Sequence, residues 1–139
     1  ELCAHALDAV ALTAAGKGVK IESDVGTRRA VLCDAPRLEQ VLTNLLGNAI
    51  KFTPSGGTVS VYVDALKDGM RFSVRDTGRG IPASELGSIF TKFWSGESSD
   101  GSGLGLWIAC AIVEAHGSHL TVESRVGEGT VFSFVLPYA

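Results

Sequence analysis

The chain has 139 residues, 45% hydrophobic and 19% charged, which is enough for one packed core and too short for two, so residues 1–139 are expected to form a single domain. A formal charge of −3 argues against nucleic-acid partners, which need a clustered basic surface, and requires any anionic ligand to be held by local groups. No apolar run nears the roughly 20 residues that cross a bilayer and no signal peptide is recognisable, so a cytoplasmic domain is expected. Cys3, Cys33 and Cys110 are odd in number and widely spaced, a pattern of free thiols rather than a disulfide framework or zinc site.

In chain order, Leu2–Ala15 reads as a helix closed by Gly16 and Gly18. Val19–Ser23 and Ala30–Cys33 read as two short strands around a turn at Gly26. Asp34 is placed as an N-cap with Pro36 in the first turn, opening a long helix to about Phe52 that Pro54-Ser55-Gly56-Gly57 stops. Thr58–Leu66 alternates Val59, Val61 and Val63 with Ser60, Tyr62 and Asp64, the mark of a half-buried strand. Asp68-Gly69 signals a hairpin and Met70–Arg75 the return strand. Ala83–Phe90 predicts a short helix, Ser95–Ser102 a polar loop, and Leu104–His116 a long helix ending at Gly117. His119–Ser124 and Thr130–Leu136 predict two more strands around Gly127-Glu128-Gly129. Paired hairpins beside long helices imply an α+β two-layer sandwich: a mixed, mostly antiparallel sheet with one face covered by helices.

At about 100° per residue, the helix Pro36–Phe52 sorts into two arcs. Leu38, Leu42, Leu45, Leu46, Ala49 and Ile50 form a core face. Arg37, Val41, Asn44, Asn48, Lys51 and Phe52 share the other. That second arc is either an ordinary solvated face or a ligand-facing one. Carboxamide oxygens are hard neutral donors suited to Mg²⁺, a lysine neutralises phosphate, and an aromatic stacks on a base.

Two glycine runs add to this. Asp76-Thr77-Gly78-Arg79-Gly80-Ile81-Pro82 follows a strand, and an ionised aspartate there suits an exocyclic amine better than a phosphate, or else simply forms a turn. Gly101-Ser102-Gly103-Leu104-Gly105-Leu106 opens a helix, where backbone N–H groups can meet an anion. This second run has neither the Gly-x-Gly-x-x-Gly nor the Gly-x-x-x-x-Gly-Lys spacing and follows a loop rather than a strand, which excludes Rossmann and P-loop readings of it.

Together these segments resemble the catalytic ATP-binding domain of two-component sensor histidine kinases, in the superfamily shared with DNA gyrase, Hsp90 and MutL. Asn44–Pro54 is similar to the family's N box, Asp76–Pro82 to its G1 box and Ile89–Trp94 to its F box. Gly101–Leu106 is similar to its G2 box, and Gly127–Phe132 to its closing Gly-x-Gly-Thr hairpin. The resemblance implies a Bergerat-type fold and ATP with Mg²⁺ as ligands. It implies that Asn48 holds the metal with Asn44 in support, Lys51 meets phosphate and Phe52 packs on the adenosine. Asp76 would accept from the adenine amino group with Thr130 assisting, and Gly78 and Gly80 would shape that turn. Ile81 and Leu106 would line the apolar pocket. Gly101, Gly103, Leu104 and Gly105 would face the phosphates, with Ser95–Ser102 a lid anchored by Phe90 and Phe93; Lys92 or Arg79 could add positive charge.

Hydrolysing relatives carry Glu where Asn44 stands, and a carboxamide cannot serve as a general base, so the resemblance implies phosphoryl transfer with little ATP hydrolysis. The implied acceptor is a histidine on a separate dimerisation and phosphotransfer domain, with a response-regulator receiver domain downstream. His5, His116 and His119 match no such context and are given structural roles. The chain by itself is expected to be a monomer and its parent a homodimer. An anti-sigma-factor type serine kinase and a non-catalytic ATP sensor are the competing readings.

Overall fold

A computed structural model describes residues 2–26, 29–91 and 103–139. The elements are α1 (Leu2–Lys17), β1 (Lys20–Val25), α2 (Ala35–Phe52), β2 (Thr58–Ala65), β3 (Gly69–Asp76), α3 (Gly105–Ala115), β4 (Thr121–Arg125) and β5 (Gly129–Pro137). They build one five-stranded sheet in the order β1-β2-β3-β5-β4. β1 and β2 run parallel, joined by the α2 crossover, and the other neighbours are antiparallel. The α+β sandwich with a mixed, mostly antiparallel sheet is as the sequence implied. No helix among the described residues is long and apolar enough to cross a membrane.

The core follows from two periodicities. On the sheet, Val59, Val61 and Val63 of β2, Met70, Phe72 and Val74 of β3, and Phe132, Phe134 and Leu136 of β5 point to one face and are buried. Phe72 and Phe134 are cross-strand partners with rings stacked 5.3 Å apart. On α2, all six residues of the predicted core arc are buried. Burying each leucine contributes roughly 1.5–3 kcal/mol of transfer free energy. Val41, assigned to the other arc, is also buried. α2 packs against both α1 and α3, so its covered face is wider than one core stripe.

Two predicted elements are absent. Ala30–Cys33 is no strand and makes no hairpin with β1; Val31 forms a lone bridge to Tyr138, and Leu32 N–H donates to the Pro137 carbonyl at 2.9 Å. β1 instead takes its partner from β2, beyond the crossover, and exposes most of its side chains as an edge strand. Ala83–Phe90 is a chain of tight turns, not an α-helix: Glu85, Leu86 and Ser88 N–H groups reach carbonyls three residues back. Eight residues with Gly87 in their midst cannot repay the cost of helix nucleation. The predicted loop Ser95–Ser102 lies outside the described residues, as do Lys92, Phe93 and Trp94.

Candidate functional site

Alternation along β3 puts Asp76 on the same inward face as Phe72 and Val74, and along β5 it puts Thr130 inward with Phe132. The two are direct cross-strand partners at the end of the sheet, and each is only 4% exposed. An aspartate in a core-facing row is costly unless its oxygens find donors. Gly78 N–H donates to Asp76 Oδ1 at 2.8 Å. Burial raises the Asp76 carboxyl above its ordinary 3.8, while hydrogen bonds from the Gly78 and Thr130 backbone pull it back down.

Beside this carboxylate lies a cavity of about 200 Å³. Phe52, Ile81, Val126 and Phe132 give it apolar walls; Asn48, Asp76, Thr130, Arg79 and Glu85 supply polar groups, and Gly80 and Pro82 complete the lining. Its shape depends on two glycines. Gly80 adopts φ +77°, and a Cβ there would run into the Arg125 carbonyl; Gly129 adopts φ +119° against the Asp76 carbonyl. Backbone approach this close is what brings the Asp76–Pro82 turn against the β4–β5 hairpin, with Gly127 N–H bonded to the Arg79 carbonyl at 2.8 Å. Gly78 likewise passes so near the Phe52 carbonyl that a side chain would collide.

The C-terminal end of α2 forms the opposite wall. Asn44, Asn48, Lys51 and Phe52 are half-buried, so their arc is not a freely solvated face. Asn48 and Phe52 line the cavity. The Arg79 guanidinium, which lines the cavity, sits 4.6 Å and the Lys51 ammonium, which does not, 5.2 Å from the Phe52 ring centre. Asn44 Nδ2 donates to the Gly105 carbonyl at 3.2 Å and thereby ties α2 to the start of α3. Lys17, at the end of α1, donates to the Ile50 and Lys51 carbonyls at 2.8 and 2.7 Å, placing a positive charge at the negative end of the α2 dipole.

Of the residues singled out in the sequence, Asn48, Phe52, Asp76, Arg79, Gly80, Ile81 and Thr130 meet around this one cavity. Gly78 supports it from behind. Gly103 (φ +72°), Leu104 and Gly105 stand at the start of α3, adjoining Asn44. Leu106 is buried in the core and does not line the cavity. Phe90 meets Phe132 edge-on at 6.2 Å, and Gly101 lies outside the described residues. Sequence reasoning did not name Pro82, Glu85, Val126 and Phe132 as lining residues. Phe132 was within reach: it continues the inward alternation of β5 one step from Thr130. Among the described residues, no group of three His, Cys, Asp or Glu side chains could hold a metal ion. A divalent cation here would draw on neutral oxygens such as the Asn48 carboxamide, on water and on a bound molecule's own oxygens.

Comparison with known proteins places these features in context. Residues 33–139 match the family described as histidine kinase-, DNA gyrase B-, and HSP90-like ATPase. The circadian input-output histidine kinase CikA of Synechococcus elongatus is 45% identical over 75% of the chain, which spans 14% of that protein. The sensor histidine kinase ZraS of Klebsiella oxytoca is 38% identical over 99% of the chain, which spans 30% of it. The crystal structure of full-length ShkA in complex with AMPPNP superposes with a TM-score of 0.88 at 36% identity, over 99% of this chain and 29% of that one. The mycobacterial sensor histidine kinase MprB gives 0.86 at 32% identity, over 99% and 92%.

Proposed function

Because this chain belongs to the histidine kinase-, DNA gyrase B- and HSP90-like ATPase family, as a catalytic ATP-binding domain of the sensor histidine kinase type, we propose that its cavity holds the adenine of Mg-ATP and that it passes the γ-phosphoryl group to a histidine on a separate dimerisation and phosphotransfer domain. One observation carries this reading: a buried carboxylate, fixed by Gly78, faces a small apolar-walled cavity whose lining includes Asn48 and Arg79, with Lys51 beside the Phe52 wall. A purine suits the walls. Its exocyclic amine suits the ionised Asp76, which accepts and cannot donate.

From there the triphosphate would extend along α2 toward Asn44 and the start of α3. Asn48 would offer its carboxamide oxygen to Mg²⁺, whose preference for oxygen and water ligands fits a site with one protein donor and phosphates for the rest. Bound there, the ion would neutralise charge developing on the β- and γ-phosphates. Lys51 would hold phosphate oxygens, and backbone N–H groups of Gly103–Gly105 would face the anion at the α3 N-terminus. Asn44 has no basic atom to activate water, so the γ-phosphorus would wait for an imidazole nitrogen. In the transfer a P–N bond forms, the bond from the γ-phosphorus to the β-phosphate oxygen breaks, and ADP leaves. Downstream, a receiver domain would take the phosphoryl group; this chain alone would be monomeric and cytoplasmic within a homodimeric parent.

The test is to mix this chain with a dimeric helical-hairpin phosphotransfer fragment of a related kinase and γ-labelled ATP with Mg²⁺. An acid-labile, base-stable phosphohistidine on the hairpin is expected, with little free phosphate. Tight ATP uptake without any transfer to hairpins that accept from their own kinases would contradict the proposal and leave an ATP sensor.

A further inference from the structure

Ser124, on β4, belongs to none of the sequence motifs, yet its hydroxyl joins three parts of the site. Ile81 N–H donates to Ser124 Oγ at 2.7 Å; Ser124 Oγ donates to the Gly129 carbonyl at 3.0 Å and lies 2.7 Å from Thr130 Oγ1. A serine hydroxyl has one proton and two lone pairs. The Gly129 carbonyl can only accept, so the one Ser124 proton goes there. The Ile81 N–H occupies one lone pair. All three contacts then hold together only if Thr130 donates its own proton into the second lone pair.

From this proton arrangement we propose that Ser124 is a specificity-determining positioning residue: it draws the Thr130 proton away from the cavity, leaving Thr130 Oγ1 as an acceptor beside the Asp76 carboxylate. The polar edge formed by these two side chains then offers acceptors at both points. A 6-amino purine brings two N–H donors to that edge. A 6-oxo purine brings a carbonyl oxygen at that position and keeps only its N1–H as a donor, so at least one acceptor of the pair meets a lone pair and the 6-oxo ligand binds more weakly, because an unpaired buried acceptor loses its hydration without compensation. Without the Ser124 hydroxyl, Thr130 Oγ1–H is free to turn toward the ligand and greet the oxo group. This inference rests on the nucleotide reading of the cavity.

Binding of ATP and of inosine triphosphate, which differ at the 6-position edge and share the sugar and phosphates, should be measured by calorimetry with Mg²⁺ on wild type, Ser124→Ala, Ser124→Thr and Thr130→Val. Wild type is expected to favour ATP strongly, and Ser124→Ala to shrink the ATP-to-inosine-triphosphate affinity ratio about tenfold. Ser124→Thr, which keeps the hydroxyl, should restore the ratio, and in a Thr130→Val background Ser124→Ala should no longer change it. A structural defect alone would weaken both nucleotides equally. A folded Ser124→Ala with an unchanged ratio overturns the assignment; should that variant fail to fold, an unchanged ratio in Thr130→Val overturns it instead. Wild type that takes up no ATP removes the nucleotide reading itself, and this assignment with it.

Discussion

The two ends of α2 solve the same problem in opposite ways. At its start, Asp34 accepts from Arg37 N–H at 3.4 Å, Pro36 occupies the first turn, and the Asp34 N–H donates to His116 Nε2 at 3.0 Å. The other ring nitrogen of His116 faces the Ile112 carbonyl at 2.8 Å, so it carries the proton, and the histidine is a neutral pin between α2 and α3. These polar groups satisfy one another. At its finish, the backbone is equally well closed: Thr53 Oγ1 donates to the Ala49 carbonyl at 2.7 Å and Lys17 takes the Ile50 and Lys51 carbonyls. The side chains there differ, since Asn48 and Phe52 line a cavity opposite a buried aspartate. A helix end that closes on itself holds the fold; one whose backbone is closed but whose side chains line a hollow is where a ligand fits.

Substitutions at the two ends should separate accordingly. Lys17→Met removes the charge that offsets the α2 C-terminal carbonyls, and is expected to cost about 1–2 kcal/mol in denaturant unfolding. It should also weaken ATP several-fold more than adenosine, since exposed carbonyl dipoles would then face phosphate. Equal losses for the two ligands would reduce Lys17 to a purely structural clamp. At the other end, Asp34→Ala should cost about 1 kcal/mol of stability through the lost cap and leave ATP affinity unchanged. A nucleotide effect from that position would break the contrast between the two ends.

Much of this was legible in the sequence because the relevant physics is local. The six-residue core arc of α2 follows from 3.6-residue periodicity, and the β2–β3 hairpin from strict alternation around Asp68-Gly69. What failed was non-local. Nothing within Ala30–Cys33 reveals that β1 pairs in parallel across a helix while Val31 bridges to Tyr138. The Ala83–Phe90 turns required weighing nucleation cost against apolar spacing. At the site, the motif residues were visible by type and order, whereas the burial of Asp76 depends on extending β3 one residue beyond the predicted Arg75. Ser124 was invisible because its importance lies in three partners brought together from the Ile81 turn, Gly129 and Thr130.

The central claim is that the ionised Asp76 carboxylate recognises an amino-purine, and Asp76→Asn tests it most directly. Because burial raises this carboxyl above 3.8, the folded chain holds its proton more tightly than the unfolded chain does, and stability falls as pH rises through the interval above that value. Removing the charge should therefore leave the ligand-free domain at least as stable at neutral pH. ATP affinity measured by calorimetry with Mg²⁺ should nevertheless drop roughly 10–100-fold, the value of a charged hydrogen bond, and lose the weakening that wild type shows relative to it as pH falls toward the Asp76 carboxyl. An equally stable Asp76→Asn variant that binds ATP as tightly as wild type across that pH range would contradict the account.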